Sequence, residues 1–113
     1  MAKGILLVLS NAVEGGDEDE FNRWYNEVHA PEIVQRGAAV SFRRFKTSGV
    51  PLSKGIPEPG QDYACVYEIE AGTVEDVEAI AERLEQTKDQ SQGVSPEMDR
   101  TSVRAAFMVP VTS

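Results

Sequence analysis

Positive charge is scarce in this chain. Its 113 residues hold 11 Lys and Arg against 19 Asp and Glu, a net charge of −8. That balance argues against nucleic acid as a partner, because phosphate backbones need clustered Lys and Arg. The one local basic group, Arg43-Arg44 with Lys46, is too small for such a footprint. Cysteine occurs once, at Cys65, so an intramolecular disulfide is impossible and a thiolate zinc site lacks ligands. Histidine also occurs once, and no His-x-x-x-His or Asp-x-Asp-x-Asp spacing is present. No glycine-rich phosphate loop follows a strand; Glu14-Gly15-Gly16-Asp17 is too short and too acidic for phosphate. No cofactor is therefore expected, and haem would have only His29 as a ligand. The apolar run from Ile5 to Leu9 is far below the roughly 20 residues a membrane helix needs. The first residues also carry no signal-peptide cleavage pattern, so a cytoplasmic protein is the expectation.

What is present reads as one domain over residues 1–113. Residues 3–10 form a buried strand around Ile5-Leu6-Leu7-Val8-Leu9. A helix begins near Asp17, which has Glu20 three residues on in a capping-box arrangement. The acidic run from Asp17 to Glu20 suits the positive end of the helix dipole. Gly37 closes the helix. Residues 38–47 alternate as a second strand, with Phe42 and Arg44 on one side and Arg43 and Phe45 on the other. A long loop with three Pro and three Gly spans residues 48–61. Residues 62–70 form a third strand with Tyr63, Cys65, Tyr67 and Ile69 on one side. Thr73 caps a second helix whose stripe is Val74, Val77, Ile80, Ala81 and Leu84. A last strand spans residues 102–111. The order βαββαβ is the ferredoxin-like, split βαβ pattern: an α+β fold with a four-stranded antiparallel sheet and both helices on one face. The strands are apolar on both faces, which predicts a homodimer with two sheets packed face to face.

The densest chemistry lies in Phe21-Asn22-Arg23-Trp24-Tyr25-Asn26-Glu27-Val28-His29-Ala30-Pro31-Glu32. The only Trp, the only His and an internal Pro fall within one helix. Histidine titrates near neutrality and can take or give a proton there. At about 100° per residue, Phe21, Trp24, Tyr25, Val28 and Glu32 share a face and His29 lies on its edge. Pro31 cannot donate to the carbonyl of Glu27, so a kink or a new helical segment is expected there.

This run, with Gly37 and then Arg44-Phe45, resembles the EthD-like branch of the dimeric α+β barrel superfamily. The resemblance covers about a quarter of the chain by motif and most of the rest by element order. It implies a ferredoxin-like fold, a homodimer and a pocket between the first helix and the sheet. The superfamily includes cyclases, cofactor-free monooxygenases, lactone isomerases, dehydratases, haem-degrading enzymes and accessory proteins. His29 matches the helix His of the motif. Trp24, Tyr25, Pro31 and Arg44 match motif positions without a known catalytic role.

The site expected from these residues handles a small apolar or aromatic carbonyl compound without a cofactor. His29 would be the general base or acid, its tautomer held by Glu32 or Glu27. Tyr25, with Tyr63 or Tyr67, would polarise the carbonyl. Trp24 would wall the ligand and Arg44 would neutralise an acidic group. Period-2 alternation does not say which side of the third strand faces inward, so Tyr63 and Tyr67 belong either to the pocket or to the dimer interface. The reaction would be a cyclisation, isomerisation or dehydration. Two other readings stand beside it: a non-catalytic ligand-binding or accessory protein of a degradative or biosynthetic pathway, and a cofactor-free monooxygenase. A purely structural dimer with a filled core is the reading in which His29, Trp24 and Arg44 merely pack or pair.

Overall fold

The computed structural model describes residues 3–111. Four strands form one antiparallel sheet in the order β2-β3-β1-β4: β1 (Gly4–Ala12), β2 (Ser41–Lys46), β3 (Tyr63–Ile69) and β4 (Met98–Met108). Between β1 and β2 runs α1 (Glu18–Trp24), a π-helical turn (Tyr25–His29) and α2 (Ala30–Gln35). Between β3 and β4 lie α3 (Val74–Gln86) and a short 3₁₀ turn (Lys88–Gln90). The architecture is the α+β, ferredoxin-like one that the element order predicts.

Both long helical segments start on their predicted caps. Asp17 Oδ1 accepts from the Glu20 N–H at 3.0 Å, and Thr73 Oγ1 accepts from the Asp76 N–H at 3.2 Å. The first segment does not break at Pro31. His29 and Ala30 keep right-handed helical dihedrals, and Pro31 falls in the first turn of α2. The Ala30 N–H bonds the Tyr25 carbonyl five residues back, so the chain widens into a π turn just before the proline. That widening accommodates a residue with no N–H to offer. At the far end, Gly37 (φ 83°) closes α2 with a Schellman pair: its N–H reaches the Val34 carbonyl and that of Ala38 reaches Ile33. This pair takes the Ala38 N–H away from the sheet. It is why β2 starts at Ser41 rather than at residue 38.

The register assigns the faces. Leu6 opposes Tyr67 and Phe107, Val8 opposes Cys65 and Ala105, and Arg44 opposes Cys65. These residues share the helix-facing side with Tyr63 and Ile69. The core joins them to Phe21, Trp24, Tyr25, Ala30 and Ile33 of the first helical segment. Val77, Ile80 and Leu84 of α3 pack against that core only in part, and Val74 and Ala81, placed by periodicity in the same stripe, are exposed. β4 begins at Met98 rather than at residue 102, because Met98 and Asp99 pair with Ala12 and Asn11 beyond a register shift in β1. The opposite side of the sheet has no helix on it. It presents Ile5, Leu7, Leu9, Ala64 and Val66, with Phe45 and Met108 exposed.

Candidate functional site

The site forms where the π turn crosses the β2–β3 half of the sheet, and the Tyr25 ring is its hub. Tyr25 is 1% exposed. Its ring meets His29 edge-on at 5.0 Å and lies beneath the Arg44 guanidinium, whose central carbon is 4.2 Å from the ring centroid. Tyr63, Cys65 and Tyr67 come up from β3 on the same side, all buried. The question left open by the sequence is thereby answered: the tyrosine-bearing face of β3 looks toward the first helical segment.

The π turn also sets the position of His29. Residues five apart in an ordinary α-helix point about 140° away from each other. With one turn closed at i to i+5, Trp24 and His29 stack instead, their rings 4.7 Å apart and inclined by 16°. Trp24 is itself buried, so the imidazole is held between an indole face and the edge of Tyr25. Burial lowers the His29 pKa below its ordinary 6.5, against an opposing pull from Glu32 and with help from Arg36 and Arg44. The imidazole is therefore neutral at pH 7.

Glu32 is 5% exposed and is tied on one side only. Its Oε1 accepts the Gln92 N–H at 2.6 Å, which fastens the α3–β4 connection to α2. Glu27, the other acid considered for His29, is exposed and pairs with Arg23 at 3.5 Å, so it takes no part.

Arg44 makes no salt bridge with an acidic residue among the described residues. Its Nη1 donates to Asn22 Oδ1 at 2.9 Å and Asn26 Oδ1 at 3.2 Å. The guanidinium lies among the rings of Tyr25, Phe21 and Tyr63. The Tyr63 hydroxyl accepts from Asn22 Nδ2 at 3.2 Å and lies beside the Glu18 carboxylate, whose pKa it lowers. Burial pulls Arg44 below its ordinary value, opposed by the neighbouring Tyr25. It remains a cation at neutral pH. Burial pushes the Tyr25 and Tyr67 hydroxyls and the Cys65 thiol upward, so all three stay protonated.

Five buried side-chain atoms among the described residues have no hydrogen-bond partner: His29 Nδ1, Glu32 Oε2, Arg44 Nε and Nη2, and the Tyr67 hydroxyl. Native interiors hold few such atoms, and each costs about 1–3 kcal/mol. Here they fall on four residues coupled in series, His29 feeling Glu32 and Arg44, and Arg44 feeling Tyr67. They comprise an imidazole nitrogen, a carboxylate oxygen, two cationic donors and a neutral hydroxyl.

Three contributors escaped the sequence reading. Asn22 and Asn26 hold Arg44, and their one-turn spacing beside the aromatic pair was the available signal. Phe42 is half-buried and stands 6.4 Å from the Tyr67 ring. A pocket of about 390 Å³ opens beside it, with Asn22, Asn26, Arg43, Arg44, Lys46 and Tyr63 in its lining; His29, Glu32 and Tyr67 are not among its lining residues.

No protein-family model matches the chain, and no curated protein does. Solved structures do share its fold. An ethyl tert-butyl ether D (EthD) family protein from Bacillus halodurans superposes with a TM-score of 0.50 at 10% identity, over 98% of this chain and 100% of that one. A dimeric ferredoxin-like protein of unknown function from Thermobifida fusca gives 0.46 at 12% identity, over 96% of this chain and 92% of that one. At such identities the likeness is one of fold, the ferredoxin-like α+β fold that EthD-type proteins adopt.

Proposed function

We propose that this protein acts on a small apolar or aromatic carbonyl compound by proton transfer, without a cofactor, in a site between the first helical segment and the sheet. The observation that supports the reading is that His29, Glu32, Arg44 and Tyr67 each carry a buried polar atom with no hydrogen-bond partner among the described residues. In the tautomer with its proton on Nε2, His29 presents a bare lone pair at Nδ1, the acceptor that a general base needs. It takes a proton from the carbon next to the carbonyl. The C–H pair becomes the new C=C bond, and the former carbonyl oxygen becomes an enolate. Tyr67, kept protonated by burial, donates its hydrogen bond to that oxygen, and the Arg44 cation offsets its charge. Glu32 steadies the imidazolium, in line with its upward pull on the His29 pKa. Return of the proton to another atom completes an isomerisation; loss of a β-hydroxyl, which takes the proton from His29 and leaves as water, completes a dehydration; attack of the enolate on a second carbonyl, whose oxygen takes that proton, completes a cyclisation. Tyr25 and Trp24 shape the wall and Tyr63 braces Asn22.

The assay is turnover of small aromatic and aliphatic ketones, monitored by solvent deuterium uptake at the acidic carbon. Wild type is expected to exchange, and His29→Ala is expected to lose about 10²-fold or more while keeping its fold. Exchange near the wild-type rate in His29→Ala would reject His29 as the base. A non-catalytic binding protein is the second reading. It is favoured by the tight packing of His29 between Trp24 and Tyr25, and it predicts saturable binding with no exchange. A cofactor-free monooxygenase would use the same enolate with dioxygen, and turnover would then stop without oxygen.

The working unit in this proposal is one domain paired as a homodimer through the helix-free face of the sheet. That face supports the pairing because Ile5, Leu7, Leu9 and Val66 lie together on it.

A further inference from the structure

Phe42 divides the cleft between the first helical segment and β2. On one side lies the pocket with Asn22, Asn26, Arg44, Lys46 and Tyr63 in its lining. On the other lies a pocket of about 380 Å³ walled by Pro31, Val34 and Val40. Phe42 lines both. The first carries the cationic side chains, and the second is largely apolar. The Tyr67 ring lies against Phe42, and its buried hydroxyl has the Tyr25 hydroxyl and the Cys65 thiol as its polar neighbours.

Two cations that line the polar side have no acidic partner among the described residues. Lys46 is paired with Glu18 at 3.2 Å, whereas Arg43, also in the lining, has only the Phe45 ring beneath it. Arg44 has only neutral partners, in a chain with 19 acidic residues to choose from. Its two unsatisfied nitrogens, Nε and Nη2, make up one edge of the planar fork, the edge that takes a carboxylate with two parallel hydrogen bonds.

We infer that the ligand is an amphipathic anion, an aromatic carboxylic acid, whose carboxylate lies on the Nε/Nη2 edge of Arg44 and whose ring takes the place of the Phe42 side chain, which swings aside to admit it. The inference rests on the proposed reading of this cluster as a ligand site and adds the substrate class and the door. The displaced phenyl has the apolar pocket beside Val34 and Val40 to move into. The ring of the acid would then lie against Tyr67 and Tyr25, near His29.

The test is binding of 2-naphthoate, of its neutral isostere 2-acetylnaphthalene and of 2-naphthyl phosphate. It is read by titration calorimetry and by emission of Trp24, the only Trp and the residue stacked on His29. The naphthoate and the phosphate are each expected to bind about tenfold or more tighter than the ketone. Arg44→Gln is expected to erase the preference for the acid. Arg44→Lys, which keeps the charge but not the two-pronged edge, is expected to retain part of it. Phe42→Ala is expected to speed association several-fold. Equal binding of acid and ketone, or an undiminished preference in Arg44→Gln, would overturn the anion assignment; Trp24 emission that still responds would leave the ligand site itself standing. An unchanged association rate in Phe42→Ala would overturn the door. Failure of all three probes to bind, or binding that leaves Trp24 silent, would overturn both the substrate class and the site on which it rests.

Discussion

Replacing Tyr67 by Phe should make the unliganded protein more stable and less functional at once. Tyr67 is 1% exposed, and its hydroxyl, with the Tyr25 hydroxyl and the Cys65 thiol as its polar neighbours, closes no well-formed hydrogen bond among the described residues. A buried hydroxyl left unsatisfied costs about 1–3 kcal/mol of desolvation. Phenylalanine keeps the ring and its packing against Phe42 and removes only the stranded oxygen. Taking the lower end, the variant gains about 1 kcal/mol. With an unfolding entropy of about 2.1 cal/mol/K per residue, 113 residues give about 0.24 kcal/mol/K, so the midpoint rises by about 4 °C. The assay is thermal unfolding by circular dichroism with both proteins at the same concentration, since any self-association also shifts the midpoint. Binding of an aromatic acid to the same variant should weaken about tenfold, because the hydroxyl would otherwise pair with the ligand. A midpoint that falls by a few degrees would refute the reasoning. It would mean that the hydroxyl is satisfied inside the fold and is not waiting for a ligand.

Other substitutions probe the neighbouring contacts. Glu32→Ala removes the carboxylate that holds the Gln92 N–H and should cost about 1.5–3 kcal/mol, with faster hydrogen exchange at the Gln92 amide; unchanged exchange there would contradict the anchoring role. His29 has a lowered pKa in the folded state, so its contribution to stability is complete above the unfolded value of 6.5 and is lost as pH falls through the folded value. Denaturation midpoints should therefore drop on the acid side of pH 6.5 by more in wild type than in His29→Gln; parallel curves would contradict it. Leu7→Asp together with Val66→Lys, both on the helix-free face, should turn a dimer into a monomer in sedimentation velocity, and an unchanged sedimentation coefficient would reject that face as the interface.

Features fixed by local chemistry were legible in the sequence, and those fixed by partners distant in the chain were not. Asp17 and Thr73 announce their helices because a cap bonds an N–H three residues on, within the same stretch of sequence. The βαββαβ order follows from hydrophobic period alone. The start of β2 was misplaced because Ala38 and Val40 alternate like a strand while the Ala38 N–H is spent on Ile33. The start of β4 was missed because Met98 and Asp99 look like turn residues until β1 pairs with them. In the site, the residue types were readable but their environments were not. Period-2 alternation groups Tyr63 with Tyr67 without saying which way they face. Arg44 suggested an acidic partner by charge alone, yet the fold brings it two asparagines. The sequence hinted at the π turn only through Pro31. Its consequence, a Trp24–His29 stack across five residues, depends on how the whole segment packs.

The central claim is that His29 sits, neutral and available, inside a site for a small aromatic anion. Because His29 is the only histidine, nitrogen-15 NMR of the labelled protein shows a single imidazole pair and follows it without ambiguity. The account predicts one titration with its midpoint below 6.5, neutral at pH 7, and displacement of the His29 resonances when 2-naphthoate is added. A midpoint at or above 6.5, with resonances that ignore the acid, would contradict it.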